Sequence, residues 1–327
     1  MQIRIFEPVE VDLFQRNLYN HQRSEVLQSK VIDQHFLFLT KERMIIYNYE
    51  FIVTREIESV EAFYALTNYV VVVQRIDDFV IISSLNLDDY QLDSKITVPL
   101  SELVAIEFHD MLFVLQDRQY YRVFQNFTLK LKFLSSKIRI LTLYKSGVTI
   151  INNKNILIQI DTNQTILYKM LLKFQVFNQM FSTTTHCALV CPDILILNFN
   201  TKSCIKVAFQ SGPIKFYSTK FPDHIFIQSG YNVYLISLIS QKVIKNLQIS
   251  SPIQLYNNFI TYQTFYDSEY CLSYIYPTNS KINILLKIDR HLTRLIHIED
   301  DYLIIGRFDG VCQIYSCVNY DCQPFKL

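Results

Sequence analysis

The feature that most constrains this chain is a hairpin pattern that recurs eight times. Each copy is a short run of Ile, Val, Leu, Phe or Tyr, a polar break and a second such run, the pattern of two paired strands. The copies begin at His35, Tyr69, Met111, Gly147, Cys187, His224, Phe259 and Tyr302, separated by 34, 42, 36, 40, 37, 35 and 43 residues. A period near 40 built from strand pairs is the signature of radially repeated sheets, in which no unit buries its apolar faces alone. Further strand-like pieces fill the gaps. Those before a hairpin (102–110, 137–144, 213–221 and 252–259) would be innermost strands, and those after one (128–133, 242–249) outermost. Lys130 and Lys132 alternate with apolar residues on one outer piece, as expected of an edge kept from pairing with another chain. Pro213 and Pro252 open two inner pieces, where a missing N–H breaks no ladder.

Composition agrees. Half of the 327 residues are apolar, and Tyr and Phe number 22 and 24, a bias toward strands. With only five glycines, the chain is a poor source of phosphate-cradling glycine loops. No G-x-S-x-G elbow is present, and the acidic pairs Asp77-Asp78, Asp88-Asp89 and Asp300-Asp301 fall at turn positions, where acids ordinarily cap or solubilise. The expectation is a non-enzyme with no cofactor and no small-molecule substrate. For metal, His186, Cys187 and Cys191 form the densest set, with Cys312, Cys317 and Cys322 at the other end, but no second C-x₂₋₄-C pair lies near, so buried structural thiols are expected. Seven cysteines without a CxxC pair, and no apolar run of eighteen residues, fit a reduced cytoplasmic or nuclear compartment and no transmembrane segment. The first residues lack a signal-peptide h-region.

The last hairpin, Leu303 to Ser316, reads apolar strand, Gly306, turn Asp309-Gly310, apolar strand, then Tyr315-Ser316. It resembles the second half of a WD40 repeat, with Tyr315 at the Trp position and Ser316 at the Asp position. The resemblance covers one copy as motif and the whole chain as architecture; there is no Trp anywhere. It implies an all-β, WD40-like β-propeller of seven or eight four-stranded blades, eight by hairpin count, in one domain spanning residues 1–327. The final blade has only three strands before the chain ends, so residues 1–10 are expected to close it beside 311–318, with 11–29 as linker or short helix. Seven blades would follow if an early hairpin were a decoration. The resemblance also implies a rigid scaffold that binds other protein subunits over a wide face.

Net charge is +1 but unevenly spread. Residues 1–117 hold 9 Lys and Arg against 19 Asp and Glu, 118–250 hold 16 against 3, and 251–327 hold 6 against 8. In a ring, stretches of sequence become sectors, so one sector should be basic. Its candidate contacts are Arg118, Arg122, Lys130, Lys132, Lys137, Arg139, Lys145, Lys154, Lys169, Lys173, Lys202 and Lys206, with Lys215 and Lys220 beyond. These would meet an acidic protein, or, as the alternative, RNA or DNA along 118–220. The excess of Lys over Arg disfavours base-specific readout, and the absence of any Arg-Arg pair gives no support to the paired-Arg phosphoinositide motif of one propeller family. A mean hydropathy of +0.14 suggests apolar surface covered by a partner, as in a complex subunit.

Overall fold

A computed structural model describes residues 3–5, 9–12, 25–32, 35–41, 43–65, 69–109, 111–174, 176, 179–191, 193–207, 214–218, 224–238, 240, 242–249, 253–256, 259–266, 269–276, 279–288, 293–299, 302–307 and 311–319. The described residues form eight antiparallel sheets in chain order. Two short strands come first, β1 (Ile3–Ile5) and β2 (Val9–Asp12). Blade 1 is β3 (Val26–Ile32), β4 (His35–Thr40), β5 (Arg43–Tyr47) and β6 (Val53–Glu58). Blade 2 is β7 (Val60–Ala65), β8 (Val70–Ile76), β9 (Phe79–Leu85) and β10 (Leu92–Pro99). Blade 3 is β11 (Leu103–His109), β12 (Leu112–Asp117), β13 (Tyr120–Gln125) and β14 (Thr128–Leu134). Blade 4 is β15 (Ile138–Tyr144), β16 (Gly147–Asn152), β17 (Ile156–Asp161) and β18 (Ile166–Leu171). Blade 5 is β19 (Met180–Ser182), β20 (His186–Val190), β21 (Ile194–Asn198) and β22 (Cys204–Val207). Blade 6 is β23 (Ile214–Ser218), β24 (His224–Ser229), β25 (Asn232–Ser237) and β26 (Lys242–Gln248). Blade 7 is β27 (Ile253–Tyr256), β28 (Phe259–Tyr266), β29 (Glu269–Tyr276) and β30 (Asn279–Lys287). Blade 8 is β31 (Thr293–Glu299), β32 (Tyr302–Arg307) and β33 (Val311–Asn319), completed by the N-terminal strands.

Burial explains why the hairpins read as unbroken apolar runs rather than as alternation. The second strand of a blade is covered on both faces by its neighbours, and β4, β12, β16, β20 and β24 are buried almost throughout. The outermost strands β14, β18 and β26 are mostly exposed. Successive blades share apolar cores. Phe63 and Val70 of blade 2 pack with Leu37 and Ile46 of blade 1, and Phe113 of blade 3 packs with Val71 and Ile82 of blade 2. Val148 and Ile150 join Leu112 and Val114, and Leu189 joins Ile151 and Leu157. Ile225 and Ile236 join Ala188 and Ile194, and Tyr262 joins Val233 and Leu235.

The same packing closes the ring. Ile304, Cys312 and Ile314 of blade 8 lie in one core with Phe36, Phe38 and Ile45 of blade 1, and β31 lies beside both β27 and β3. Phe36 and Tyr302 meet edge to face at 5.0 Å, a contact worth about 0.5–1.5 kcal/mol beyond its area. As expected, the N-terminus supplies the missing edge: β1 pairs Ile3 with Asn319 and Ile5 with Cys317, and β2 pairs Val9 with Ile314 and Asp12 with Val311. The expected linker at 11–29 is corrected at both ends. Val11 and Asp12 belong to β2, and Val26–Ser29 open β3; residues 13–24 lie outside the described residues. Eight sheets, with no early hairpin set aside, also decide against seven blades.

Glycine scarcity is met by other residues. Phe51, Ser59, Asp77, Tyr90, Asn126, Phe127, Asn155, Gln164 and Lys202 all adopt positive φ. Asx turns do much of the remaining work: Asn152 Oδ1 accepts from the amides of Lys154 and Ile156, both at 3.0 Å, and Asp161 Oδ1 accepts from those of Asn163 and Thr165.

A candidate basic interface on blades 3 to 5

Strand order determines where each basic residue lies. In a four-stranded meander, the turn between the second and third strands and the link to the next blade fall at the same end of the sheet. Arg118 is in the β12–β13 turn, Lys137 in the 3-10 turn Ser135–Lys137 that links blades 3 and 4, Lys154 in the β16–β17 turn and Lys173 in the link to blade 5. All four are exposed and share one face.

Backbone hydrogen bonds join the segments that carry them. Ser135 N–H donates to Gln119 O at 2.8 Å, Asn153 N–H to Lys137 O at 3.2 Å and Leu172 N–H to Asn155 O at 2.9 Å. The Asn153 side chain adds a bond to Ser136 O at 2.6 Å. The four cations therefore lie in an arc on adjoining segments of one face. The one acid between Arg118 and Lys173 in the sequence, Asp161, ends β17 at the opposite end of blade 4, while the exposed Glu102, whose carbonyl accepts from Arg118 N–H at 3.2 Å, flanks the arc at its head.

The other candidates go elsewhere. Lys145 and Lys202 occupy turns at the opposite end, and Lys202 is one of the positive-φ residues, at 56°. Lys130, Lys132, Lys169 and Lys206 lie on the outer strands β14, β18 and β22. Lys132 Nζ sits 3.8 Å from the Tyr120 ring centroid, so its stem is laid along its own sheet. Around these lysines the rim is apolar: Ile166, Leu167 and Leu171 are 57%, 48% and 64% exposed, and Leu129 and Leu134 are exposed as well.

Three candidates are engaged within the fold. Arg122 pairs at 2.6 Å with the nearly buried carboxylate of Asp117, which also accepts from the amides of Gln119 and Tyr120. Lys206 pairs with Asp193 at 2.5 Å. Arg139 donates from Nη2 to Asn155 Oδ1 at 2.9 Å. Lys215 is exposed on β23, and Lys220 lies outside the described residues.

The metal candidates resolve into structural contacts. His186 is buried with Nδ1 bonded to Thr185 Oγ1 at 2.8 Å and Nε2 to Asn198 Nδ2 at 2.9 Å, so both ring nitrogens are spent. Burial pushes the Cys187 thiol far up and that of Cys191 up to about 11, which keeps both protonated rather than as thiolate ligands. Of the acidic pairs, Asp89 caps its own turn by accepting from Gln91 N–H at 3.0 Å; Asp300 and Asp301 lie outside the described residues. So do Asp309 and Gly310, while Gly306 pairs with Cys312 and Tyr315 with Leu303 across the last hairpin.

Sequence reasoning named the basic residues but not how they divide between face and rim, because that depends on the parity of the turns. It missed Glu107, Gln116 and Tyr121, which share a cavity with Arg139. Three uncharged or isolated side chains on separate strands leave no spacing to read.

No family model matches the chain, and no curated protein matches its sequence. Solved structures do match it. The computationally designed Ika8 protein superimposes with a TM-score of 0.62 at 10% identity, over 90% of this chain and 97% of that one. BamB from Moraxella catarrhalis gives 0.59 at 8% identity, over 96% and 100%. KlHsv2 with loop 6CD replaced by a Gly-Ser linker gives 0.51 at 9%, over 78% and 90%. At such identities what is shared is the fold, and this chain has that of a WD40-like β-propeller.

Proposed function

We propose that this chain is a non-catalytic interaction scaffold, a subunit of a larger intracellular assembly, whose arc of Arg118, Lys137, Lys154 and Lys173 docks an acidic segment of a protein partner. The observation that carries the reading is the continuity of that arc, four exposed cations on adjoining turns of one face, with Asp161 at the opposite end of its blade and Glu102 only at the arc's edge. A stiff frame holds them in fixed positions, so a partner meets a preformed positive field at little ordering cost. The exposed apolar residues of β14 and β18 supply burial that lysines alone lack. An intracellular setting is supported by the cysteines, since Cys187, Cys191, Cys204, Cys271 and Cys312 are free thiols.

The test is binding of a fluorescent 20-residue peptide of mixed Glu and Leu, alongside a single-stranded 20-mer oligonucleotide, across a salt series. The peptide is expected to bind, and the quadruple variant R118E/K137E/K154E/K173E to lose at least tenfold in affinity while melting at an unchanged temperature. Oligonucleotide binding that exceeds the peptide's near physiological salt, with a steep salt slope, would replace this reading with the nucleic-acid one. An unchanged peptide affinity in the variant removes the arc from the function.

A further inference from the structure

Blades 3 and 4 do not meet through apolar side chains alone. Between their inner strands lies a cavity of about 150 Å3 whose polar wall is Glu107 from β11, Gln116 from β12, Tyr121 from β13 and Arg139 from β15, with Val114 and Ile140 behind them. The cores at the two neighbouring junctions are apolar, Val, Ile, Leu, Phe, Tyr and Ala between blades 2 and 3 and Ile, Leu, Val, Phe, Tyr, Met and Cys between blades 4 and 5. A carboxylate and a guanidinium facing one space is a departure that needs a cause.

Neither charge is matched by the other. No ion pair links Glu107 and Arg139 among the described residues, and Glu107 is desolvated enough that burial pushes its carboxyl above the ordinary range. Its charge is felt by Tyr121, whose phenol is raised first by burial and then by Glu107. Arg139 is held rather than loose. It falls at a β-bulge, where the β15–β16 register shifts between Ile138 and Ile140, the device that re-aims a side chain in a strand. Its Nη2 is fixed by Asn155, whose own Nδ2 is clamped by the carbonyls of Leu172 at 2.9 Å and Phe174 at 2.7 Å. Nε is buried without a hydrogen-bond partner, which leaves Nη1 and the second Nη2 hydrogen to serve the cavity.

We propose that this pocket binds the head group of a small α-amino acid, its carboxylate on Arg139 and its ammonium on Glu107. A single anion would meet Glu107 unfavourably and a single cation would meet Arg139 so; a zwitterion satisfies both at once. Size sets the side chain. A cavity near 150 Å3, partly open to solvent, holds a molecule of about benzene's bulk, six or seven heavy atoms, as in alanine or serine, and leaves the longer side chain of leucine or phenylalanine without room inside it. Gln116 and Tyr121 add neutral donors for the carboxylate. A peptide C-terminus carries the same carboxylate with an amide N–H in place of the ammonium, and the charge of Glu107 favours the free amino acid. The site departs from the expectation that no small molecule is bound, and it does not depend on the docking arc.

Calorimetric titration of the full chain with L-alanine and L-serine is expected to give saturable binding. L-leucine, alaninamide, acetate and N-acetyl-L-alanine should each bind at least tenfold more weakly than L-alanine. Glu107→Gln, of equal shape, should weaken L-alanine at least tenfold through loss of one charge-assisted bond, with its thermal melt confirming the fold. Arg139→Lys, which keeps the charge but loses the fork held by Asn155, should weaken it as well. The proposal is overturned if L-alanine and L-serine show no saturable binding, if acetate matches L-alanine, or if Glu107→Gln binds as the parent does. N-acetyl-L-alanine binding more tightly than L-alanine overturns the free amino acid in favour of a chain terminus.

Discussion

Gly147→Ala tests how tightly the inner strands of blade 4 are packed. Gly147 opens β16, opposite Tyr144 on one side and Asp161 on the other. A Cβ added there would stand 2.1 Å from the Ile160 carbonyl oxygen, 2.7 Å from Asp161 Cα and 2.9 Å from Tyr144 Oη. Ordinary contact between such atoms lies near 3.5 Å, so β17 must retreat by about 1 Å or more. The retreat also strains a second interaction, because the fully buried Tyr144 donates its hydroxyl to that same Ile160 carbonyl at 3.3 Å. Overpacking costs about 1–3 kcal/mol, and a buried hydrogen bond lost without replacement costs about 1–3 kcal/mol. The reduced freedom of the unfolded chain returns about 0.5–1 kcal/mol. The balance is a loss of about 2–4 kcal/mol, read in urea denaturation as a midpoint lower by about 1 M at unchanged slope. Gly230→Ala is the control. Gly230 has a φ of +57° and nothing within 4 Å of the position a Cβ would take, so its cost is conformational only, about 1–2 kcal/mol. A Gly147→Ala protein no less stable than Gly230→Ala would refute the packing argument.

Four further outcomes are expected. Deleting residues 1–12 removes β1 and β2, and hydrogen exchange should then show lost protection across 311–319; unchanged protection would mean that β33 does not rely on the N-terminal strands. Gln28→Ala should cost about 1–3 kcal/mol in thermal or chemical melts, because Gln28 bridges blades 1 and 2 by donating to Phe63 O at 2.7 Å and accepting from its N–H. Iodoacetamide at pH 8 should modify the exposed Cys204 before the buried Cys187 or Cys191, as mapped by mass spectrometry. The Cys191 thiol has a further signature. Because its value rises from 9.0 to about 11 on folding, the unfolded state ionises first, and stability is full below pH 9 and falls as the pH climbs toward 11. A melt that is flat over that window would contradict the burial of these thiols.

The architecture was legible because a propeller is written in the chain as a period, and period survives the loss of every signature dipeptide. The continuous apolar runs of β12, β16 and β24 carry it, since a strand covered on both faces has no polar positions to lose. Closure was legible for a related reason: three strands in the last blade leave an edge that must be met. What could not be read lies in register. Residues 11–29 look polar enough for a linker, yet Val26 is fully buried in the core shared by blades 1 and 8, a contact set by ring closure and invisible locally. The bulges that start β3, β7, β11, β15 and β31 likewise leave no compositional trace. One of them carries Arg139, and so the cavity between blades 3 and 4 stays hidden in the sequence even though its guanidinium belongs to the basic run.

The division of the twelve basic candidates follows the chemistry of the two side chains. Arg122 and Arg139 are each engaged inside the fold through one Nη2, on Asp117 and Asn155, partners that are themselves held in place. Of the candidate lysines, Lys206 is held by an ion pair, whereas Lys137, Lys154 and Lys173 stand exposed on turns beside the exposed Arg118. A surface built from flexible ammonium groups acts as a field rather than as a template. It raises the rate at which an oppositely charged partner arrives far more than it fixes what that partner must be, and the effect falls within a screening length of about 8–10 Å. Specificity for the acidic partner proposed above would then come from elsewhere on the same sector. The exposed Ile166, Leu167 and Leu171 of β18, with Leu129 and Leu134 of β14, offer unburied apolar area to supply it.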